Sequence, residues 1–81
     1  MGGYGDVKRR TVIKLIKWLA NNKTVETAEG GRHTKVTCIR NGKSFPVPTS
    51  HPSVNKHILK SFMEWCVENE VCTKEEFEER L

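Results

Sequence analysis

The first periodic pattern along the chain predicts an amphipathic helix that ends near Asn21 or Asn22. Asp6 is placed to cap the start of this helix, and asparagine tolerates the left-handed conformation common at helix ends. Apolar residues recur at the i, i+3, i+4, i+7 spacing of one buried stripe, at Val12, Leu15, Ile16 and Leu19. The opposite side of the helix carries Arg10, Lys14 and Lys17. The helix is therefore expected to present a basic face to solvent.

Three β-rich stretches follow this helix and predict an antiparallel meander. They are 24–28, 33–40 and 44–48, and the first two are separated by Gly30-Gly31. Asn41-Gly42 stands between the last two and is a strong signal for a two-residue type I′ hairpin turn, because both central positions require positive φ. Pro46 and Pro48 cannot donate ladder hydrogen bonds, so the third strand is expected at a sheet edge.

The two-residue turn also predicts a register. It pairs Cys38 with Phe45, and period-two alternation then places one set of side chains toward the core. The predicted core face holds Val36, Cys38, Phe45 and Val47. The other face holds His33, Lys35 and Thr37, together with an apolar Ile39 that the alternation does not explain.

The C-terminal half is predicted to be helical. Ser53 is a candidate N-cap for a helix that runs to about Asn69, and Thr73 through Glu76 has the form of a capping box that opens a last helix to Leu81. The predicted order is α-β-β-β-α-α, an α+β fold with helices on one face of a three-stranded antiparallel sheet. We assign residues 1–5 to a flexible N-terminus and 6–81 to a single domain.

The chain has 81 residues, which excludes a second core and a deep cavity between domains. Its cysteines, Cys38, Cys66 and Cys72, show no Cys-x-x-Cys spacing, so a disulfide framework and a zinc site are not expected. Val12 to Ala20 is the most apolar stretch, but two lysines interrupt it, so neither a signal peptide nor a membrane span is predicted. These features favour a cytoplasmic location.

Charge is divided unevenly along the sequence. Residues 1–43 contain ten Lys and Arg against three acidic residues, whereas residues 44–81 contain four against seven, and the net charge is +4. A basic half of this kind can attract a polyanion such as nucleic acid. An unevenly charged but otherwise ordinary surface is the alternative interpretation.

The candidate chemistry lies in the segment from Gly30 to Lys35. His33 and Lys35 are two residues apart on a predicted strand, so both project from the face opposite the core. Imidazole suits general acid–base catalysis, and RNA supplies its own nucleophile in the 2′-hydroxyl, so no metal or other cofactor is required. A single exposed histidine on a strand is, however, most often an ordinary surface residue.

The chain also resembles a known family. Gly30-Gly31-Arg32-His33-Thr34-Lys35-Val36, the Asn41-Gly42 hairpin, Pro46-Val47-Pro48 and His51-Pro52 occur in an order similar to that of the HicA toxins of toxin–antitoxin pairs. The segment from Ile58 through Phe77 is similar to the closing helices of that family. The resemblance covers about residues 10–80.

The resemblance implies a fold like that of a double-stranded-RNA-binding domain, an endoribonuclease that cleaves messenger RNA, and inhibition by a HicB-like antitoxin. It makes His33 the catalytic residue and gives His51 a structural role. The chain departs from the family pattern before the His-Pro loop, where Thr49-Ser50 replaces a single, often basic, residue. The expected RNA contacts are Gly31 (through turn geometry), Arg32, Lys35, Arg10, Lys14, Lys17 and Arg40.

Two other functions stay open at this stage. The same fold could bind structured RNA without cutting it, or it could be a protein-interaction domain with no role in RNA metabolism. Trp18 and Trp65 could stack on bases, but both are near apolar helix stripes, which favours core packing. We expect the free protein to be a monomer.

Overall fold

The fold was obtained as a computed structural model that describes residues 5–81. Within that range the chain contains three helices and five strands. The strands are β1 (Val7–Lys8), β2 (Val25–Gly30), β3 (His33–Cys38), β4 (Ser44–Pro48) and β5 (Ser53–Val54), and the helices are α1 (Arg9–Asn21), α2 (Lys56–Glu68) and α3 (Lys74–Glu79). The predicted flexible N-terminus falls on residues 1–4, which lie outside the described range, and on an exposed Gly5.

The predicted fold class is confirmed. Strands β2, β3 and β4 form an antiparallel sheet in that order, and the helices pack on one of its faces. The second small sheet, formed by β1 and β5, was not predicted. It pairs Val7 with Val54, which are far apart in sequence. Two-residue strands carry no readable periodicity, so only the folded chain reveals this pairing.

The first helix begins differently from the prediction. Its N-cap is Lys8, whose side chain makes no capping hydrogen bond. The carboxylate of Asp6 instead accepts a hydrogen bond from the Lys56 backbone N–H at the start of α2 (3.2 Å). The pairing of β1 with β5 keeps residues 7 and 8 extended, so Asp6 lies too far from the first turn of α1 to cap it. The predicted cap at Asp6 is therefore wrong, whereas the predicted end at Asn21–Asn22 is confirmed.

The core joins the inner face of the sheet to the helices. The α1 stripe predicted from periodicity is fully buried, as are Val36, Cys38 and Val47 on the sheet. Phe62 of α2 is at the centre of an aromatic cluster, stacked on Phe45 (5.3 Å between ring centroids) and edge-on to Phe77 (5.5 Å). Buried aromatic rings of this size contribute a large share of the apolar area on which a small domain depends.

The predicted hairpin register is wrong by two residues. Val36 pairs with Phe45, and the loop between β3 and β4 contains five residues, 39–43, instead of two. Gly42 alone supplies the positive φ (75°), and its N–H donates to the Cys38 carbonyl (2.8 Å). A shift of two residues leaves every side chain on its predicted face, because the strand period is two. The shift also explains Ile39, which lies in the loop and is half exposed.

Of the two caps predicted for the C-terminal helices, the structure contains only the second. The N-cap of α2 is Asn55, whose side chain accepts a hydrogen bond from the His57 N–H, so the predicted cap at Ser53 is wrong because that residue belongs to β5. The capping box at Thr73 and Glu76 is confirmed in both directions.

Strand β4 is an edge strand, as its two prolines predicted.

Candidate functional site

Within residues 5–81, nothing covers one face of the three-stranded sheet. The helices pack against the face that holds Val36 and Cys38, so alternating residues of the strands point the other way. We call this exposed surface the outer face. It is formed by Glu26, Ala28 and Gly30 of β2, His33, Lys35 and Thr37 of β3, and Ser44, Pro46 and Pro48 of β4.

His33 and Lys35 occupy neighbouring rows of the outer face, as predicted from strand parity. His33 pairs with Gly30 on one side and Pro48 on the other, and Lys35 pairs with Ala28 and Pro46. Successive residues on one face of a strand are about 7 Å apart, so one phosphodiester group could contact both side chains. Both side chains are exposed, and their neighbours are small or carry no charge.

The turn beside His33 is a tight two-residue connection. Gly30 pairs with His33, which leaves only Gly31 and Arg32 in the loop. Gly31 has φ 69° and Arg32 has a negative φ, the combination required by a type II′ hairpin, in which glycine is favoured at the first position. Gly31 therefore has the backbone conformation that its predicted role in turn geometry requires. The turn fixes the start of β3 and hence the direction of His33.

A cleft opens at the same end of the sheet, between α1 and the inner face of β2. Its volume is about 410 Å³, within the range of ligand-binding clefts. Arg9 and Lys17 of α1 contribute positive charge and Glu29 of β2 a negative charge. His33 borders this cleft as well as the outer face. The complete lining is Arg9, Ile13, Ile16, Lys17, Thr27, Glu29, Gly31, His33, Thr34 and Thr49.

The basic residues predicted on α1 do not all reach this region. Arg10, Lys14 and Lys17 are exposed, but α1 packs on the inner face, so the body of the sheet separates the helix from the outer face. Only Lys17 of the three lines the cleft beside Gly31 and His33. The structure therefore brings Lys17 to the His33 end of the molecule and leaves Arg10 and Lys14 outside the cleft.

Arg40 lies at the opposite end of the sheet from His33. Its guanidinium forms an ion pair with Glu70 and donates to the Asn69 carbonyl (3.2 Å) at the end of α2. Strand β3 separates the two residues, and Arg40 lies beyond the far end of that strand. Its contacts connect the β3–β4 loop to α2, and the structure gives it no place beside His33.

Three other residues considered in the sequence have separate environments. His51 is exposed in the loop that precedes β5. Trp18 is partly buried beneath the Arg80 guanidinium, which lies 3.7 Å from the ring centroid, and Trp65 packs against Phe62. Core packing of both tryptophans is confirmed, so neither ring forms a free stacking platform.

The cysteines lie away from the outer face and are free thiols. Cys38 and Cys66 are buried, as predicted for Cys38, and Cys72 is partly exposed. A hydrogen bond from the Cys66 thiol lowers the pKa of Cys72, against the opposing effect of burial. The same hydrogen bond, with burial, raises the pKa of Cys66. Among residues 5–81, no three His, Cys, Asp or Glu side chains form a group that could hold a metal ion.

Sequence reasoning missed part of the cleft. Arg9, Ile13 and Lys17 follow one another at i, i+4 spacing along one side of α1. This spacing could have indicated that Arg9 lies on the same side as Lys17. Thr34 and Thr49 share a hydroxyl hydrogen bond of 2.9 Å at the base of the cleft, and only the observed register brings them together. Glu29 is paired with Thr34 across β2 and β3, so its place in the cleft also could not be predicted without the observed register.

Comparisons with known proteins do not identify the chain. No protein family, curated protein or solved structure matches it. None of the helices in the described part of the chain combines the length and the apolar character needed to cross a membrane.

Proposed function

We propose that this protein is a small endoribonuclease, the toxin of a HicA-like toxin–antitoxin pair, acting on messenger RNA in the cytoplasm. One observation carries the proposal: His33 and Lys35 occupy adjacent rows of an exposed sheet face that no helix in the described part of the chain covers. An extended RNA strand needs such an open surface, because its backbone must lie across the catalytic group. The resemblance in sequence order around these residues supports the same function.

The reaction requires little from the protein. The His33 imidazole would accept the proton of the 2′-hydroxyl, and the resulting alkoxide would attack the adjacent phosphorus. The bond from phosphorus to the 5′-oxygen then breaks, and the imidazolium returns a proton to that oxygen. The products are a 2′,3′-cyclic phosphate and a 5′-hydroxyl. The Lys35 ammonium would stabilise the negative charge that develops on the phosphoryl oxygens.

Further cations would hold the RNA backbone at the His33 end of the sheet. Arg32 is exposed in the turn beside His33, and Lys17 and Arg9 line the cleft at the same end of the sheet. Phosphate contacts of this kind give affinity and register without sequence preference. Arg10 and Lys14 would act at longer range, by attracting RNA to the positively charged side of the molecule.

The test compares two histidine variants. His33→Ala removes the proposed acid–base group, and His57→Ala removes an equally exposed imidazole on α2, far from the outer face. Expression of the wild type and of His57→Ala should arrest growth and degrade messenger RNA, whereas folded His33→Ala should do neither. In vitro, a substrate with 2′-deoxyribose at the cleaved position should be inert. Toxicity that persists in His33→Ala would contradict the assignment.

A second function is favoured by a different observation. No hydrogen bond orients the His33 imidazole toward another side chain of residues 5–81, and no second imidazole shares the outer face. A module that holds structured RNA without cutting it needs neither feature. It predicts RNA binding that weakens steeply with salt, and no cleavage by protein purified free of other nucleases.

The proposed pairing has its own independent check. A HicA-like toxin requires a HicB-like antitoxin, so a small gene for such a protein should adjoin the gene for this chain. Co-expression of that neighbour should restore growth to cells that make the wild type. A neighbouring gene of unrelated sequence, together with an absence of toxicity, would favour the RNA-binding function.

A further inference from the structure

The outer edge of β2 carries backbone groups that pair with no other strand of residues 5–81. The Ile39 N–H donates to the Thr24 carbonyl (3.2 Å), which makes these two residues a hydrogen-bonded pair of the β2–β3 ladder. Hydrogen-bonded and non-hydrogen-bonded pairs alternate in an antiparallel ladder, so Glu26 and Ala28 bond to β3. The N–H and C=O groups of Thr27 and Glu29 therefore point away from the sheet. Both residues are exposed.

The opposite edge of the sheet is less suited to strand pairing, because it lacks two of its outward donors. The Cys38 N–H donates to the Lys43 carbonyl and the Thr49 N–H to the Arg32 carbonyl, and these two bonds fix the alternation along β4. They place Pro46 and Pro48 at non-hydrogen-bonded pairs, where an N–H would point outward. Proline has no N–H, so β4 presents no donor at these two positions. Strand β2 has no proline and keeps its outward donors.

The cleft described above lies directly beneath the open edge. Thr27 and Glu29 line it from the sheet side, and Arg9 and Lys17 line it from α1 above an apolar floor of Ile13 and Ile16. A strand added to β2 would point every second side chain toward this cleft. Backbone bonds to an edge strand supply affinity, and a pocket for alternate side chains supplies specificity.

We propose that the edge of β2 and this cleft together bind an extended strand of a partner protein that carries acidic side chains at alternate positions. The backbone of the partner would bond to Thr27 and Glu29, and its inward carboxylates would reach Lys17 and Arg9. This inference depends on the sheet edge and the cleft, and it stands whether or not the chain cleaves RNA.

A second copy of this chain fits the edge less well. Antiparallel pairing of β2 with its own copy would bring Arg9 and Lys17 of both copies to one seam, where these four cations outnumber the two Glu29 carboxylates and repel one another. RNA fits less well for another reason: a nucleic-acid backbone has no N–H groups and no regular repeat that matches the exposed carbonyls of Thr27 and Glu29. A peptide strand satisfies the donors and the acceptors together.

The experiment uses the full chain and a defined peptide. A capped heptapeptide alternating glutamate with threonine is titrated into labelled protein, with an otherwise identical peptide containing lysine in place of glutamate as its control. Binding of the glutamate peptide should shift the Thr27 and Glu29 amide signals and slow their hydrogen exchange. The lysine peptide should bind at least about tenfold more weakly, because it places like charges beside Lys17.

Two pairs of variants separate the backbone and charge contributions. Thr27→Pro removes one outward donor at an edge position where proline is tolerated, and Thr27→Val keeps it. Lys17→Gln removes a cleft charge, and Lys60→Gln removes an exposed charge on α2. Thr27→Pro and Lys17→Gln should each weaken the glutamate peptide about tenfold, and both controls should bind like the wild type.

Several results would overturn the proposal. It is wrong if the glutamate peptide does not bind at millimolar concentration, or if Lys17→Gln binds it as tightly as Lys60→Gln does. It is also wrong if single-stranded RNA, or self-association of the protein, protects Thr27 and Glu29 while the peptide does not. Loss of ribonuclease activity in His33→Ala has no bearing on these measurements, so the two proposals fail separately.

Discussion

Replacement of Asn69 tests how the β3–β4 loop, at the end of the sheet opposite His33, is attached to α2. Its side chain is buried at the end of α2, with 4% of the residue exposed. Its Nδ2 donates to the Trp65 carbonyl (2.9 Å), and its Oδ1 accepts from Asn41 Nδ2 in the β3–β4 loop (2.8 Å). Asn69→Ala removes both hydrogen bonds and leaves the Asn41 amide without this partner, whereas the Trp65 carbonyl keeps the hydrogen bond from the Asn69 backbone N–H (3.0 Å).

The expected cost follows from those two bonds. A typical intramolecular hydrogen bond contributes a net 0.5–1.5 kcal/mol, so Asn69→Ala should lower the free energy of unfolding by about 2 kcal/mol. For a domain of this size that corresponds to a fall in Tm of about 8–16 °C. Urea unfolding followed by tryptophan fluorescence would measure the change. Asn21→Ala, at an exposed position on α1, should stay within about 0.5 kcal/mol of the wild type.

A double-mutant cycle isolates the bond between the two asparagines. Asn41→Ala loses the same bond to Asn69, so the double variant should cost about 1 kcal/mol less than the sum of the single variants. Additive effects, or an Asn69→Ala protein as stable as the wild type, would refute the reasoning. The register is checked independently by a close contact between the α-hydrogens of Thr37 and Ser44, which are directly opposite in a non-hydrogen-bonded pair.

Three further predictions concern the helix ends and the thiols. Lys23 has φ 61°, so Lys23→Gly should raise the free energy of unfolding by about 0.5–1 kcal/mol, whereas Asn22→Gly at φ −79° should lower it by a similar amount, both measured by thermal unfolding. Equal effects of the two glycines would contradict this account. Thr73→Ala should destabilise α3 by about 1 kcal/mol in urea unfolding because it removes the side chain that accepts from Glu76, and Thr73→Ser should restore most of the loss. Cys72 should react with iodoacetamide faster than buried Cys66, as followed by mass spectrometry, because the lowered pKa of Cys72 gives it more thiolate at neutral pH. Preferential alkylation of Cys66 would show that the hydrogen bond runs in the opposite direction.

Much of the candidate site could be predicted because it depends on local rules. Strand alternation alone places His33 and Lys35 on the face opposite Val36, and this result survived a hairpin register that was wrong by two residues. The positive φ at Gly31 belongs to a two-residue turn of Gly31 and Arg32. The sequence indicated only a break at Gly30-Gly31, between predicted strands that ended at residue 28 and began at residue 33. The cleft could not be predicted in the same way. It forms where α1 crosses the end of β2, and the crossing depends on packing between residues distant in sequence.

The surroundings of Arg40 also could not be predicted from the sequence. The sequence grouped it with the other basic residues, because composition records a charge without recording what lies beside it. In the folded chain Glu70 and the Asn69 carbonyl bind its guanidinium, since the end of α2 reaches the β3–β4 loop. Lys17 shows the opposite outcome, because packing of α1 on the sheet brings it beside Gly31 and His33.

The sequence by itself determined the helix stripes, the three-stranded meander and the side of the sheet on which His33 projects. Each of these depends on the 3.6- and two-residue periods or on turn chemistry within a few residues. Only the tertiary structure decided the β1–β5 pair, the five-residue loop that hydrogen-bonds to Asn69, and the open edge of β2 above the cleft. Those features arise from contacts between residues far apart in the chain, and no local period encodes such contacts.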